Sequence, residues 1–228
     1  MKRSQLFSFL LPIFLFTTSS FAQLQDGSTA PDWTLRDLNG NVWHLYELTA
    51  KGKTVFLDVF ATWCGPCWHY HKTGALDSLY HQHGPSGSVD QSCYVFLIEG
   101  DSRTNTSDLK GSGAHTVGNW LAGTDFPVIN PGQDSISAFA TNYAIQYYPT
   151  VYMICPDNKV YLVGQIDDKS LFEKSKGQCK TIVKEESKKG KKEKRKKKVK
   201  ASGSGFGEEA STEKFFLNRK RISVSRIS

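Results

Sequence analysis

The chain has 228 residues, with 29 Lys/Arg against 22 Asp/Glu and a net charge of +7. That length can hold one sizeable domain with a real core. From Lys180 onward 17 Lys/Arg stand against 6 Asp/Glu, so residues 1–179 carry 12 against 16 and are mildly acidic, which gives no reason to expect a nucleic-acid partner.

The amino terminus reads as a secretory leader over residues 1–22. Lys2 and Arg3 supply the positive start, Leu6 to Phe16 the apolar centre, and Ser20-Phe21-Ala22 a small-x-small cleavage site. The apolar stretch is shorter than a bilayer span, although a retained anchor stays as the alternative. A mature chain beginning near Gln23 is expected to be secreted or periplasmic, where disulfides persist. Residues 26–48 have hairpin character around Asn39-Gly40, a strong tight-turn signal. Thr54 to Phe60 is an apolar, β-rich run and reads as a buried strand. A helix is expected over residues 66–81, interrupted or bent at Gly74.

Cys93 to Ile98 reads as a second central strand, and residues 100–113, polar and rich in Gly and Ser, as a loop. His115 to Ala122 is predicted as a short helix, Phe126 to Ile129 as a short strand and Ser135 to Tyr143 as a helix. Two strands, Tyr148 to Ile154 and Lys159 to Gly164, flank the turn Pro156-Asp157-Asn158. Asp168 to about Cys179 closes the domain as a helix. Strands alternating with helices in this way give an α/β sandwich. Residues 180–228 form a separate basic segment, unable to bury enough apolar surface to order itself. Contact with an anionic surface is a role such a tail can take.

The chemistry concentrates in Trp63-Cys64-Gly65-Pro66-Cys67, directly after the strand 54–60. A buried strand that ends in Cys-x-x-Cys and turns into a helix places one sulfur among unpaired backbone N–H groups. There the thiolate is favoured and a cysteine pKa falls from about 8.5 to roughly 3.5–7.5. Cys64 is therefore expected to attack and Cys67, one turn inside, to resolve. Zinc is the competing use of such a pair, but it needs further ligands. His69 and His71 are the nearest, and no fourth ligand follows at a suitable spacing. Covalent haem would need His where Trp68 stands. Five cysteines leave Cys93, Cys155 and Cys179 beyond the motif, an odd number.

With this motif, the strand before it and Tyr148-Pro149-Thr150 near the end, the sequence resembles the thioredoxin superfamily over about residues 26–179. Its secreted TlpA/ResA-type branch is the most similar. The resemblance implies a thioredoxin-like three-layer α/β sandwich with a central mixed β-sheet, an N-terminal β-hairpin and an inserted strand–helix. It implies a thiol–disulfide oxidoreductase working through a mixed disulfide without a cofactor. Its partners would be protein disulfides or dithiols and an electron donor that the sequence does not identify. Pro149 takes the place of the family's cis-proline facing the disulfide. Asp58, six residues before Cys64, matches a buried aspartate that accepts the proton of Cys67. An acidic group just after the next strand is also common in this branch, where Glu99 and Asp101 stand with their register open. Trp63 would cover one side of the disulfide. The Gly65-Pro66 dipeptide goes with reducing potentials near about −270 mV, and so with a reductant.

The family's strand directions put Cys93, Cys155 and Cys179 at the far end of the sheet. Cys155–Cys179 is then the preferred structural disulfide, Cys93–Cys179 its rival and three buried thiols the alternative. The competing function is a redox-silent thioredoxin-fold binding module or copper chaperone; the secreted members of the fold that deliver copper space their two cysteines more widely than this sequence does.

Overall fold

The computed structural model describes residues 23–130 and 132–179; the leader expected over 1–22 and the basic tail expected over 180–228 lie outside the described residues. A two-stranded antiparallel hairpin comes first, β1 (Thr34–Arg36) and β2 (Val42–His44). Its turn is organised by Asp37, whose carboxylate accepts from the backbone N–H groups of Asn39 and Asn41 and from the Trp43 indole. Helix α1 (Leu45–Ala50) follows and buries Leu45 and Leu48.

The centre of the molecule is a five-stranded sheet built from β3 (Thr54–Phe60), β4 (Cys93–Glu99), β5 (Val128–Ile129), β6 (Thr150–Ile154) and β7 (Val160–Leu162). The order across it is β5-β4-β3-β6-β7, with β3 parallel to β4 and antiparallel to β6. Every residue of β3 is buried, as expected of a strand covered on both faces. Side chains alternate between those faces. Phe56 and Phe60 join Val95, Leu97, Val151 and Met153 in one core cluster, together with Cys64, Cys67 and Tyr70. Val55, Leu57 and Val59 join Phe96, Ile98 and Tyr152 on the other face, under Trp33, Leu45, Ile136 and Phe139. Asp58, between Phe56 and Phe60 in the alternation, belongs to the face that carries the motif.

Helices α2 (Gly65–His71), α3 (Ala75–His83) and α6 (Asp168–Lys174) cover that first face, and α5 (Gln133–Asn142) helps to cover the second. The helix expected over 66–81 is two helices. Gly74 takes a left-handed φ of 69° at the N-cap of α3, which ends the first helix and restarts the second. The short β5 and α5 are the inserted strand–helix, and β5 extends the sheet beyond β4.

Three local expectations are revised. Leu45–Ala50 is a helix rather than the end of a hairpin. The supposed loop 100–113 contains the one-turn helix α4 (Thr106–Leu109), stabilised by a capping box in which Asn105 and Asp108 satisfy each other's backbone N–H groups. Residues 115–122 are irregular instead of helical, because their donors are used elsewhere. The Val117 N–H donates to the Thr62 carbonyl and the Trp120 N–H to the Leu109 carbonyl.

Cys155 and Cys179 are joined by a disulfide, which ties the end of β6 to a π-helical turn, Ser175–Cys179, that continues α6. Thr54 at the start of β3 contacts Cys179 Sγ at 3.8 Å, so this bond lies at the opposite end of the sheet from the motif. Cys93 is a buried thiol, and burial pushes its pKa up to about 11.

Candidate active site

Strand β3 ends at Phe60, and within four residues the chain has turned into α2. Cys64 is the N-cap of α2, in extended backbone with φ −77° and ψ 108°, and Pro66 sits in the first turn where no N–H is needed. The Cys67 N–H donates to Cys64 Sγ at 3.1 Å. Cys64 and Cys67 are joined by a disulfide with their Cα atoms 5.3 Å apart. Because α2 is only seven residues long, the local N–H donor matters more to a Cys64 thiolate than a long helix dipole would.

Thr62, just before the motif, is completely buried and uses every polar group it has. Its N–H donates to Glu99 Oε2 at 2.9 Å, and its hydroxyl to the His115 carbonyl at 2.6 Å. Its carbonyl accepts from the Val117 N–H at 3.0 Å and the Trp120 indole at 3.1 Å. Trp120 is itself fully buried against Phe60, Trp68 and His71. The segment between β4 and β5 thus holds the turn that carries Cys64. No sequence pattern singles out Thr62, since its partners lie 37 to 58 residues away.

Two carboxyl groups sit beneath the turn. Asp58 is 1% exposed, and its Oδ1 has no hydrogen-bond partner among the described residues. Burial pushes its pKa up to about 7. Glu99 ends β4 opposite Phe60 in the register. Burial raises it to about 7 as well, opposed by the N–H groups of Asp101 and Thr62 that donate to it. Asp101 is the opposite case. Hydrogen bonds from the Arg103 guanidinium, with smaller help from the Trp63 indole, hold it far below the usual carboxylate range.

Trp63 remains 45% exposed beside Cys64, with its indole N–H on Asp101 Oδ2 at 2.7 Å. The Tyr148–Pro149 peptide bond is cis, and the Tyr148 ring meets Trp63 edge-on at 6.1 Å between centroids. Gly100 makes this possible, because a Cβ there would come within 2.5 Å of the Tyr148 ring. A groove of 460 Å³ runs along Trp63, Cys64, Gly65, Pro66, Tyr147 and Tyr148. The structure therefore gathers Trp63, Cys64, Gly65 and Pro66 around one opening, with Cys67 buried and bonded to Cys64, Tyr148-Pro149 alongside and Asp58 on the sheet face below. It leaves Cys155 and Cys179 far from them.

A sheet of this order, with a reducible cysteine pair where its central strand becomes a helix, is the design of a thioredoxin-like thiol–disulfide oxidoreductase. Comparison with known proteins agrees. Residues 25–176 match the model of the Redoxin family, and the chain belongs to that family. Thiol-disulfide oxidoreductase ResA of Bacillus subtilis (strain 168) is 30% identical over 140 residues, covering 61% of this chain and 67% of that protein. ResA of Bacillus anthracis is 31% identical over 162 residues, covering 71% and 80%. The solution structure of a thiol:disulfide interchange protein from Bacteroides sp. has the same fold, with a TM-score of 0.52 at 20% identity, covering 69% of this chain and 91% of that one.

Proposed function

We propose that the chain is an extracytoplasmic reductant of protein disulfides that works through the Cys64–Cys67 dithiol. The observation that carries this is the placement of Cys64 Sγ at the N-cap of α2, bonded to Cys67 and accepting the Cys67 N–H. In the reduced protein the Cys64 thiolate attacks one sulfur of a substrate disulfide, forming a mixed disulfide and expelling the other sulfur as thiolate. Cys67 then attacks Cys64 Sγ. This releases the second substrate sulfur and leaves the Cys64–Cys67 disulfide, so two electrons pass to the substrate. Cys67 must lose its proton as it attacks, and Asp58, on the sheet face that α2 covers, is the base assigned to take it.

Pro149 and Trp63 shape the groove that receives an extended substrate segment. The Gly65-Pro66 dipeptide supports the reducing direction. A donor of two electrons must regenerate the dithiol. The leader at residues 1–22 supports action outside the cytoplasm, and the basic tail from Lys180 supports contact with an anionic surface there. Trapping tests the proposal. A Cys67→Ser variant should retain protein substrates as mixed disulfides through Cys64, and the wild type should reduce insulin when supplied with a thiol donor. A wild type inactive toward insulin, together with a variant that captures nothing, would overturn it.

A further inference from the structure

Trp63 stands between two hollows. On one side is the groove along Cys64, Pro66 and Tyr148; on the other is a hollow of 310 Å³ lined by Trp63, Asp101, Arg103, Thr104 and His115. An indole that is 45% exposed has room to turn toward either. Tyr148 meets it edge-on from the groove side, and its polar anchor is its N–H on Asp101 Oδ2 at 2.7 Å, a charge-assisted bond made from the side away from the groove.

The acceptor is fixed independently of Trp63. Arg103 Nε contacts Asp101 Oδ1 at 2.9 Å, and its Nη2 contacts Oδ2 at 2.7 Å. The Arg103 backbone N–H adds a further bond to Asp101 Oδ1 at 2.9 Å. Glu99 ties the two ends together, accepting the Asp101 N–H on one oxygen and the Thr62 N–H on the other. The backbone just before the indole and the backbone of its acceptor therefore hang on one carboxyl group.

We propose that Asp101, clamped by Arg103, is a positioning residue that holds the Trp63 indole as a fixed wall of the substrate groove and so sets affinity for protein disulfides. This rests on the oxidoreductase reading and adds to it a determinant of substrate binding that touches neither sulfur. A polypeptide disulfide must lie along the wall to reach Cys64, whereas a small aromatic disulfide need only reach the sulfur. Loss of the anchor is therefore selective. It weakens binding of the first and leaves the chemistry of both unchanged.

The test uses the full chain with Asp101→Ala, Asp101→Asn, Arg103→Ala and Trp63→Phe. In two-dimensional ¹H–¹⁵N spectra the Trp63 indole resonance, identified by its loss in W63F, should shift in D101A. With insulin, D101A should raise KM about tenfold, the scale of one charge-assisted hydrogen bond. Its kcat, and its rate with 5,5′-dithiobis(2-nitrobenzoate), should stay within about twofold of wild type. D101N, which keeps an acceptor oxygen, should recover much of the KM, and R103A should raise KM in the same direction. On a W63F background, which lacks the N–H, D101A should have no further effect on KM.

An unmoved indole resonance, an equal loss with both substrates, or an undiminished effect on the W63F background would each overturn the inference. An active wild type matched by D101A would overturn it alone. A wild type that reduces neither substrate would overturn it together with the oxidoreductase reading.

Discussion

Replacing Asp58 by Asn should convert the desolvation of one carboxyl group into a pH dependence of stability. Burial raises its pKa from 3.8 to about 7. That rise corresponds to about 4 kcal/mol of discrimination against the charged form. Because the folded-state pKa lies above the unfolded one, the folded chain holds the proton more tightly. Wild-type stability is therefore undiminished below about pH 4, falls as pH rises from about 4 to 7, and is reduced by the full amount above that. Asn carries no charge to desolvate; any cost of fitting its amide is the same at every pH. Relative to the wild type, oxidised D58N should gain about 4 kcal/mol between about pH 4 and pH 8. For a domain of this size that is a relative shift in Tm on the order of 10 °C. Urea unfolding of both oxidised proteins at a series of pH values measures the gap directly. A gap that stays constant across the series would refute a carboxyl group that is buried and titrating near neutrality.

The same substitution has a kinetic counterpart. Asp58 and Glu99 both titrate near 7, so the rate of mixed-disulfide resolution should show a limb there that disappears in D58N and survives in Glu99→Gln; the reverse pattern, read by stopped flow, would move the proton-accepting role to Glu99. The Cys155→Ser/Cys179→Ser variant opens a bond across a sequence separation of 24. Chain-entropy reasoning puts the loss at about 3.5 kcal/mol by chemical denaturation. Insulin reduction at low temperature should be unaffected, since the bond is at the other end of the sheet. Trp120→Ala removes a fully buried ring and should cost about 3–5 kcal/mol in the same denaturation assay. Because Trp120 also donates to Thr62, this variant should speed amide exchange in the turn before Cys64 beyond what C155S/C179S does.

The parts of this molecule that were legible in the sequence are those set by local pattern. The run from Thr54 to Phe60 announces a strand buried on both faces, and Trp-Cys-Gly-Pro-Cys directly after it announces a strand-to-helix turn. Gly74 signals a break in the following helix, and its positive φ shows why that break is complete. What the sequence conceals is set by partners far along the chain. Residues 115–122 have helical spacing, yet the Val117 and Trp120 N–H groups bond to Thr62 and Leu109, and the helix is forgone. Leu45–Ala50 is too short for periodicity to register, and burial of Leu45 and Leu48 decides its state. The register of Glu99 and Asp101 could not be settled from spacing alone. Only the pairing of β3 with β4 sets Glu99 beside Phe60, with Asp101 two residues beyond at the Trp63 indole.

That register gives three neighbouring carboxyl groups different work. Asp58 and Glu99 are both buried, Asp58 without a partner on Oδ1 among the described residues and Glu99 with backbone N–H groups on its oxygens, so desolvation opposes their ionisation and each can exchange a proton near neutral pH. Asp101 lies at the rim, where Arg103 keeps it ionised and an indole N–H is its further partner. A thiol–disulfide exchange needs a proton acceptor for the resolving sulfur and a rigid opening for the substrate. One acid cannot serve both needs, because the first requires a proton that comes and goes and the second a charge that never changes. Exchanging the two environments, by removing the Arg103 guanidinium or by placing a cation beside Asp58, would therefore damage different steps, binding in one case and resolution in the other.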